Sequence, residues 1–221
     1  MSSPDDAELE QLRINAQAQY RELRSRKSSL DKDSIDLILK GARSHYAWKD
    51  KPVSNEILKE LYELTAAGAT SMNCCPARFV FVSSSESKEK LAKSLKPANV
   101  AKVMSAPVTA IIAYDLDFWE KLPFLFPHDD RRGFFKGKTE YIESTAFRNS
   151  TLQGGYFMIA ARALGLDIGA ISGFSNDVVD QEFFANTNVH SNFLCNLGYA
   201  DETALFQKLP RFAFDEVCTF L

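Results

Sequence analysis

The spacing of apolar positions divides the chain into a short leader and a longer body. In residues 1–30, apolar side chains recur every three or four residues among Arg and Glu, at Leu9, Leu12, Ala16, Tyr20 and Leu23. This spacing predicts an amphipathic helix that cannot bury its apolar stripe alone. We expect this extension to dock on the body or on a partner subunit, and the alternative is a frayed leader. Residues 31–221 are expected to form a single domain.

The body pattern predicts several helices around a few strands. The first helix is expected to begin after a cap at Asp33, the second after a cap at Ser54 and before a stop at Gly68, and a later one after Ser175. The helices are predicted over 34–42, 55–67, 86–95, 99–104 and 139–164, with a last one after the cap at Ser175.

Four segments have the patterns of strands. Residues 78–83 alternate between apolar and polar, and 108–114 form a continuous apolar run that is typical of a buried strand. Two further strands are predicted at 166–170 and 192–198, and a terminal turn of helix or strand at 214–220. Because strands are few and do not alternate regularly with helices, the pattern predicts an α+β fold.

Composition narrows the class of protein. The chain has 221 residues, 45% hydrophobic and 25% charged, which is typical of one soluble domain. A net charge of −3 without a basic stripe argues against a nucleic-acid partner. No apolar run approaches the ~20 residues of a membrane helix, and the polar N-terminus argues against export.

Four cysteines without a C-x-x-C spacing indicate reduced thiols and a cytoplasmic location, the alternative being a disulfide framework. The three histidines show no metal-ligand spacing.

The run NSTLQGGYFMIAARALGLDIGAISGF, residues 149–174, is the most informative stretch. Its helical part is apolar on nearly every side, which predicts a central buried helix. Gly154 and Gly155 are costly inside a helix unless something approaches closely. The turn at Ser172 and Gly173 is expected to present backbone N–H groups. This combination suits a flat aromatic cofactor held against the main chain.

The same run resembles the FMN-dependent nitroreductase family. Three further segments agree with the family in order and spacing: ARSHYAW, ATSMNCCP, and Asn99 with Lys102 before Ala106. The resemblance extends from about Ile35 to the C-terminus. Within the family, the chain most resembles the malonic semialdehyde reductases of bacterial uracil breakdown, through ARSHYAW, PVTAIIAYD, LPFLFPHDD, AFRNS and LPRFAFDEV in combination. The resemblance implies a three-layer α-β-α fold with a mixed, mostly antiparallel sheet. It also implies an intertwined homodimer with cofactor sites at the interface.

The resemblance implies which residues hold the phosphate of FMN. Arg43 and Ser44 match phosphate and ribityl contacts, and Arg211 matches a C-terminal arginine; two arginines converging on one anion would bind it directionally. The sequence departs at Tyr46, where many members carry a second Arg or Lys, and His45 or Lys208 would compensate. The alternative for Arg43 is a solvated cation at a helix end.

Other matches concern the isoalloxazine ring. Lys102 would stabilise the negative charge that the flavin gains on reduction, although a surface lysine is the alternative. Gly173 lacks a Cβ that would hold the ring away, but an ordinary strand-to-helix turn is possible. The expected ring contacts are Thr70, Ser71 and Asn73 from one loop, Asn99 and Lys102, Asn149, and the backbone of Ile171, Ser172 and Gly173.

The aromatic-rich segment 118–138 is the candidate for choosing the substrate. Its length and position between a strand and the long helix suggest a lid. Phe134 or Phe135 would stack over the flavin, and His128, Arg131 or Arg132 would hold a carboxylate. The alternative is a surface excursion whose aromatic side chains pack into the core.

The implied activity is hydride transfer from NADPH or NADH, through N5 of FMN, to a small acceptor. The acceptor would be a 3-oxo acid such as malonic semialdehyde, or a nitroaromatic or quinone. No Ser-His-Asp order, useful carboxylate pair or P-loop is visible, so no protein nucleophile or base is predicted. The alternatives are a flavin-binding or sensor protein without turnover and a purely structural dimer.

Overall fold

The computed structural model describes residues 6–221, which form two compact units divided after Gly41. The first unit contains helix α1 (Asp6–Arg26) and helix α2 (Lys32–Ile35), which continues as a π-helical turn, Asp36–Lys40. Helix α1 lies within the segment 1–30 that was predicted as an amphipathic helical extension, and residues 1–5 of that segment lie outside the described residues. Its side chains over 7–26 are exposed. The predicted cap at Asp33 is wrong: Asp31 accepts the Ser34 N–H at 2.8 Å, because the helix begins earlier.

The second unit contains the remaining elements of the chain, and the predicted element types are confirmed with small shifts of their ends. Ser54 caps α3 as predicted, accepting the backbone N–H of Ile57. The elements are α3 (Asn55–Ala66), β1 (Ala77–Val82), α4 (Ser85–Ala92), α5 (Pro97–Ser105), β2 (Val108–Asp115), α6 (Leu122–Leu125), α7 (Thr139–Ala163), β3 (Asp167–Ile171), α8 (Asn176–Phe183), β4 (Val189–Gly198) and α9 (Phe214–Val217).

The four strands form one sheet in the order β1-β2-β4-β3, and its ladders are antiparallel. A parallel bridge between Ser44 and Ile168 adds a short contact to the β3 edge. The register shifts after Ile112, opposite Asn192, whose amide donates to the hydroxyls of Ser150 and Thr151, both at 2.9 Å. This irregularity therefore joins β4 to the side of α7.

Helices cover both faces of the sheet. Ala110 and Ile112 pack on the side of α3 and α7 with Leu61 and Phe157. Between them in sequence, Ile111 faces the opposite side, where it packs with Leu91 of α4 and other residues of α5 and α8. The alternation of side chains along β2 thus builds two cores and three layers, α-β-α. The α+β architecture implied by the sequence is confirmed.

Helix α7 is buried on one face only, which corrects the prediction of a helix buried all round. A Cβ added at Gly154 would lie 2.5 Å from the ring of Phe193, so the expected close approach is found there. Gly155 has nothing within 4 Å, and Leu152 and Ile159 are exposed. An apolar pattern predicts burial without indicating which surface covers the residue. No helix among the described residues is long and apolar enough to cross a membrane.

Replacing Gly169 tests how the segment after Gly41 lies on β3. A Cβ at Gly169 would overlap the carbonyl oxygen of His45, a backbone atom that cannot rotate away. We expect Gly169→Ala to lower the free energy of unfolding by about 1–3 kcal/mol, measured by chemical denaturation. Ala170→Ser, at an exposed position of the same strand, should change it by less than about 0.5 kcal/mol. Equal stabilities of the two variants would contradict this packing.

Candidate functional site

The segment that follows Gly41 is held along the edge of β3. Ser44 forms the parallel bridge with Ile168, and the backbone N–H of His45 donates to the Ile168 carbonyl at 2.9 Å. The local backbone is therefore fixed by the sheet, although the segment is not itself a strand. This arrangement brings Arg43, Ser44 and Tyr46 to one cavity.

That cavity, which we call the cation cavity, has a volume of about 410 Å³. Its positive side chains are Arg43, Arg162, Lys208 and Arg211, and no carboxylate is among the described residues that line it. The chain as a whole carries a net charge of −3, so four cations around one cavity are a marked local excess. Such a site favours an anion that accepts several charge-assisted hydrogen bonds. Its lining is completed by Ala42, Ser44, Tyr46, Leu205, Phe206, Gln207 and Leu209.

The cation cavity unites residues that are distant in sequence. Arg43, Ser44, Lys208 and Arg211, each a candidate phosphate contact from the sequence, all line it. Arg162 also lines it, and sequence reasoning missed this residue. An arginine in the last turn of a helix usually pairs with the helix dipole, so its position alone gave no indication of a ligand. Burial lowers the pKa of Arg162, but a guanidinium remains charged at neutral pH.

His45 differs from these cations. Its Nε2 lies 3.3 Å from Oδ1 of Asp167, and its side chain is mostly buried. Burial, together with the charges of Arg162 and Arg43, holds the pKa of His45 below its ordinary value of 6.5, despite the opposing effect of Asp167. The imidazole is therefore mainly neutral at neutral pH. Positive charge at the cavity comes from the arginines and Lys208 instead.

A second group of predicted residues joins α5 to the turn after β3. The ammonium of Lys102 donates to Oδ1 of Asn99 at 3.1 Å, and Nδ2 of Asn99 donates to the Gly173 carbonyl at 3.0 Å. A Cβ at Gly173 would lie 2.5 Å from Nδ2 of Asn99, so a larger residue here would displace this amide. The Lys102 ammonium also lies 4.8 Å from the ring centroid of Tyr46. Tyr46 thus connects this group to the cation cavity. At the end of β3, Ile171 is buried, and Ser172 in the turn that follows is exposed.

Buried polar contacts fix the position of α5. The amide of Asn196 donates to the Lys102 carbonyl at 2.9 Å, and the Thr109 hydroxyl donates to Oδ1 of Asn196 at 2.7 Å. At the end of the helix, the Lys88 ammonium donates to the Ala106 carbonyl. None of these three was predicted. For Thr109 and Asn196, the sequence did contain a signal: each is a polar residue within an apolar strand segment, VTAIIA or FLCNL. A buried polar group of this kind needs a hydrogen-bond partner.

The loop at 70–75 forms a separate cluster beside the middle of α7. Oδ1 of Asn149 accepts the Ser71 N–H at 2.8 Å, and its Nδ2 donates to the Thr145 carbonyl at 2.9 Å. The amide is only 2% exposed, so in this chain it holds the loop. The Thr70 hydroxyl accepts the Cys75 N–H at 3.2 Å, and the Asn73 amide donates to the Leu125 carbonyl at 2.8 Å.

This loop is unusual in its backbone. Met72, Asn73 and Cys75 have φ values of 50°, 51° and 39°, in the left-handed region that non-glycine residues rarely adopt. Strained conformations of this kind persist where surrounding contacts fix them, and they cluster at ligand sites. Ser71 and Asn73 are exposed and available to a ligand or a partner.

The two clusters lie far apart along α7. Asn149 holds the loop and Arg162 lines the cavity, and about 20 Å of helix axis separates these two positions. Within one chain, the residues predicted to bind the cofactor near Asn149 are therefore separated from those that line the cation cavity.

The segment 118–138 divides into a buried and an exposed part. Phe118 and Phe135 are fully buried with ring centroids 5.1 Å apart, and Phe135 stacks on Tyr141 at 5.2 Å. Phe135, predicted as a substrate contact, thus packs as a core residue, in line with the alternative interpretation of this segment. Phe134 is 49% exposed and remains the candidate aromatic contact.

The predicted cations of this segment already have neighbours. Arg132 makes a two-point ion pair with Asp130, with contacts of 2.9 and 2.7 Å. Nε of Arg131 lies 3.0 Å from Asp129, and its guanidinium lies 5.3 Å from the ring centroid of Phe134. His128 is exposed and packs edge-on against Phe126. A substrate carboxylate would have to compete with these aspartates.

The protein thus has an α+β fold, with a cavity lined by four cationic side chains beside the edge of its sheet. The chain belongs to the Nitroreductase family, whose sequence profile matches residues 39–199. A protein of Polynucleobacter asymbioticus named "Putative NADH dehydrogenase/NAD(P)H nitroreductase" is 52% identical over 194 residues, 88% of this chain and 99% of that protein. A protein of the same name from Xanthomonas oryzae is 52% identical over 192 residues, 87% of this chain and 98% of that protein.

Solved structures share the fold at lower identity. A protein from Exiguobacterium sibiricum named "putative nitroreductase in complex with FMN" has a TM-score of 0.78 at 20% identity, over 87% of this chain and 99% of that one. A protein from Staphylococcus epidermidis named "putative NAD(P)H:FMN oxidoreductase" has a TM-score of 0.77 at 20% identity, over 87% of this chain and 98% of that one. The names of these relatives agree with the family and do not identify a branch within it. Membership of the malonic semialdehyde reductase branch therefore stays a prediction.

The lowered pKa of His45 predicts an acid-sensitive contribution to stability. Below about pH 6.5, the unfolded chain binds a proton at this residue that the folded protein excludes, so the free energy of unfolding should fall as the pH falls. Above that range the contribution vanishes. Denaturation about one unit above and below pH 6.5 should show a smaller pH effect for His45→Gln than for wild type. An imidazole titrating above 6.5 by NMR would contradict this environment.

Proposed function

We propose that the protein is an FMN-dependent NAD(P)H oxidoreductase that reduces a small acceptor. The observation that carries the proposal is the cation cavity, together with the contact between its lining residue Tyr46 and Lys102, which Asn99 joins to Gly173. One end of this site suits a phosphate and the other suits a planar ring with polar edges. The family membership and the names of the relatives support the same activity.

The cation cavity fits the phosphate end of FMN. A phosphate dianion presents several acceptor oxygens, and the guanidinium groups of Arg43 and Arg211 match them with paired donors. The Ser44 hydroxyl adds a neutral donor, and Lys208 adds a point charge. Several positive groups around one cavity attract an anion more strongly as its charge rises, so binding should be strongest for the doubly charged ligand.

The group around Lys102 fits the ring end. Bound FMN would supply the redox chemistry, accepting a hydride from NAD(P)H and passing it to the acceptor. Lys102 would place a positive charge beside the polar edge of the ring, with its ammonium oriented by Asn99. Asn196 and Thr109 would fix the backbone that carries Lys102. Gly173, without a Cβ, lets both Asn99 and the ring approach the main chain.

A second copy of the chain would complete the site. The loop at 70–75 lies about 20 Å along α7 from the cation cavity, so we propose that the partner's loop contacts the ring bound in this subunit. Two exposed apolar surfaces support a homodimer. One is the open face of α7 around a cavity of about 760 Å³, with Phe147, Leu152 and Ile159. The other is the exposed C-terminal arm after Asp201, with Phe206, Phe212 and Phe220. Uncovered apolar area of this extent marks an interface.

The acceptor is proposed to be small. Phe134, which is exposed on segment 118–138, would contact it. The relatives' names include "NAD(P)H nitroreductase", which favours a nitroaromatic acceptor. The sequence resemblance favours a 3-oxo acid such as malonic semialdehyde, and a quinone is the further candidate. We place the protein in the cytoplasm, in keeping with its free thiols.

Absorbance spectroscopy of the purified protein tests the proposal directly. The protein should be yellow or become yellow with FMN, and NADPH or NADH should bleach the flavin band without oxygen. Reoxidation by malonic semialdehyde, a nitrofuran and a quinone, followed separately, would then identify the acceptor class. A protein that binds no flavin would contradict the proposed function, whereas flavin that no reduced nicotinamide bleaches would indicate a binding protein without turnover.

Replacing Lys102 tests the ring end of the site. Lys102→Met keeps much of the length of the side chain and removes the charge, so the FMN dissociation constant should rise roughly tenfold. The midpoint potential of the bound flavin should also become more negative. Lys59→Met, on the exposed surface of α3, should change neither. Unchanged affinity and potential in Lys102→Met would remove the assigned role.

Replacing Gly155 tests the homodimer. In the single chain, a side chain at Gly155 meets open space, so Gly155→Gln should fold normally yet obstruct a copy packed on α7. Light scattering after gel filtration should show a weakened dimer with less retained FMN. Gly133→Gln, at a glycine with equal space on segment 118–138, is the matched control. A dimer of unchanged strength in Gly155→Gln would contradict the use of this face.

A further inference from the structure

We infer that Arg162 is a phosphate-binding residue and sets the preference of the site for FMN over riboflavin. The inference rests on the proposed function and assigns a specificity-determining role to a side chain that the sequence did not single out. FMN and riboflavin carry the same ring and ribityl chain and differ by the phosphate. A residue that acts on the phosphate alone therefore affects one ligand and spares the other.

The position of Arg162 carries the inference. It reaches the cation cavity from the last turn of α7, whereas Arg43 arrives from the segment along β3, and Lys208 and Arg211 from the C-terminal arm. The arm is exposed over its whole length, but α7 is packed on the sheet. Arg162 is thus the cation of the cavity that is anchored on a core helix. A charge held by a rigid element loses less freedom when it binds an anion.

The electrostatic surroundings agree with this assignment. Burial lowers the pKa of Arg162, which means that its charged form is partly removed from water. Nearby Asp167 favours the charge, but that carboxylate also accepts the Ala200 N–H at 2.8 Å and contacts His45. A multiply charged anion in the cavity would add charge-assisted hydrogen bonds to this partly desolvated guanidinium.

A purely structural role is the competing explanation. An arginine in the last turn stabilises the helix dipole, and such a residue need not touch a ligand. The two explanations differ in one respect. Loss of a dipole partner would lower the stability of the fold and would weaken the binding of FMN and of riboflavin to the same extent. Tyr46 offers a way to separate them, because it lines the same cavity and carries no charge. A cation placed at position 46 would restore charge to the cavity without restoring the helix end.

The experiment compares FMN with riboflavin in the full-length protein. Dissociation constants are measured by quenching of flavin fluorescence for wild type, Arg162→Gln, Arg162→Lys, and the double variant Arg162→Gln with Tyr46→Arg. Lys59→Gln serves as a control for loss of a surface charge. Chemical denaturation of each variant measures the fold independently.

We expect Arg162→Gln to weaken FMN binding roughly 10- to 100-fold and riboflavin binding by less than about threefold. Arg162→Lys should lose less of the affinity for FMN, because it keeps the charge. The double variant should recover part of the preference for FMN over riboflavin. If the glutamine variant fails to fold, the lysine variant carries the same comparison of the two flavins. Equal weakening of both flavins, or an unchanged preference for FMN, would overturn the inference. A wild-type protein that binds neither flavin would instead contradict the proposed function.

Discussion

Helix α7 sets the geometry on which the proposed site depends. One face packs on the sheet through Phe157, its middle holds the loop at 70–75 through Asn149, and its end delivers Arg162 to the cation cavity. A helix is rigid, so about 20 Å of axis keeps the loop and the cavity apart in a single chain. The other face of the same helix is apolar and open. In the proposed dimer, one helix therefore separates the two half-sites and provides the surface that brings the partner's half close.

Positive charge distinguishes the cation cavity from the rest of the chain. Arg43, Lys208 and Arg211 converge with Arg162 in a chain that is acidic overall, and no described lining residue opposes them. His45 lies beside this group without adding to it, because burial and the neighbouring arginines disfavour its charged form. The fold thus concentrates charge on groups that stay ionised at any physiological pH. Binding of a phosphate there should respond to salt more than to pH.

Local sequence features predicted the elements well and the assembly only in part. The cap at Ser54 and the alternating strand at 78–83 depend on neighbouring residues, so their patterns are visible in the sequence. The family motifs indicated Arg43, Ser44, Lys208 and Arg211, which do share a cavity. Arg162 was missed because its contact depends on the tertiary path of the C-terminal arm. The exposed face of α7 was assigned to the core, because an interface and an interior have the same apolar signature. Asn196 and Thr109 needed the strand register to be recognised as partners.

Binding of FMN to purified mixed dimers tests the central claim most directly. One chain would carry Arg43→Ala and Arg211→Ala, which impair the cation cavity, and the other Ser71→Trp, which obstructs the exposed loop; each variant alone should bind little FMN. If the site combines the cavity of one chain with the loop of the other, a mixed dimer purified through two different tags contains one intact site and should bind about half as much FMN as wild type. Mixed dimers that bind none would show that each site lies within a single chain and would contradict the account.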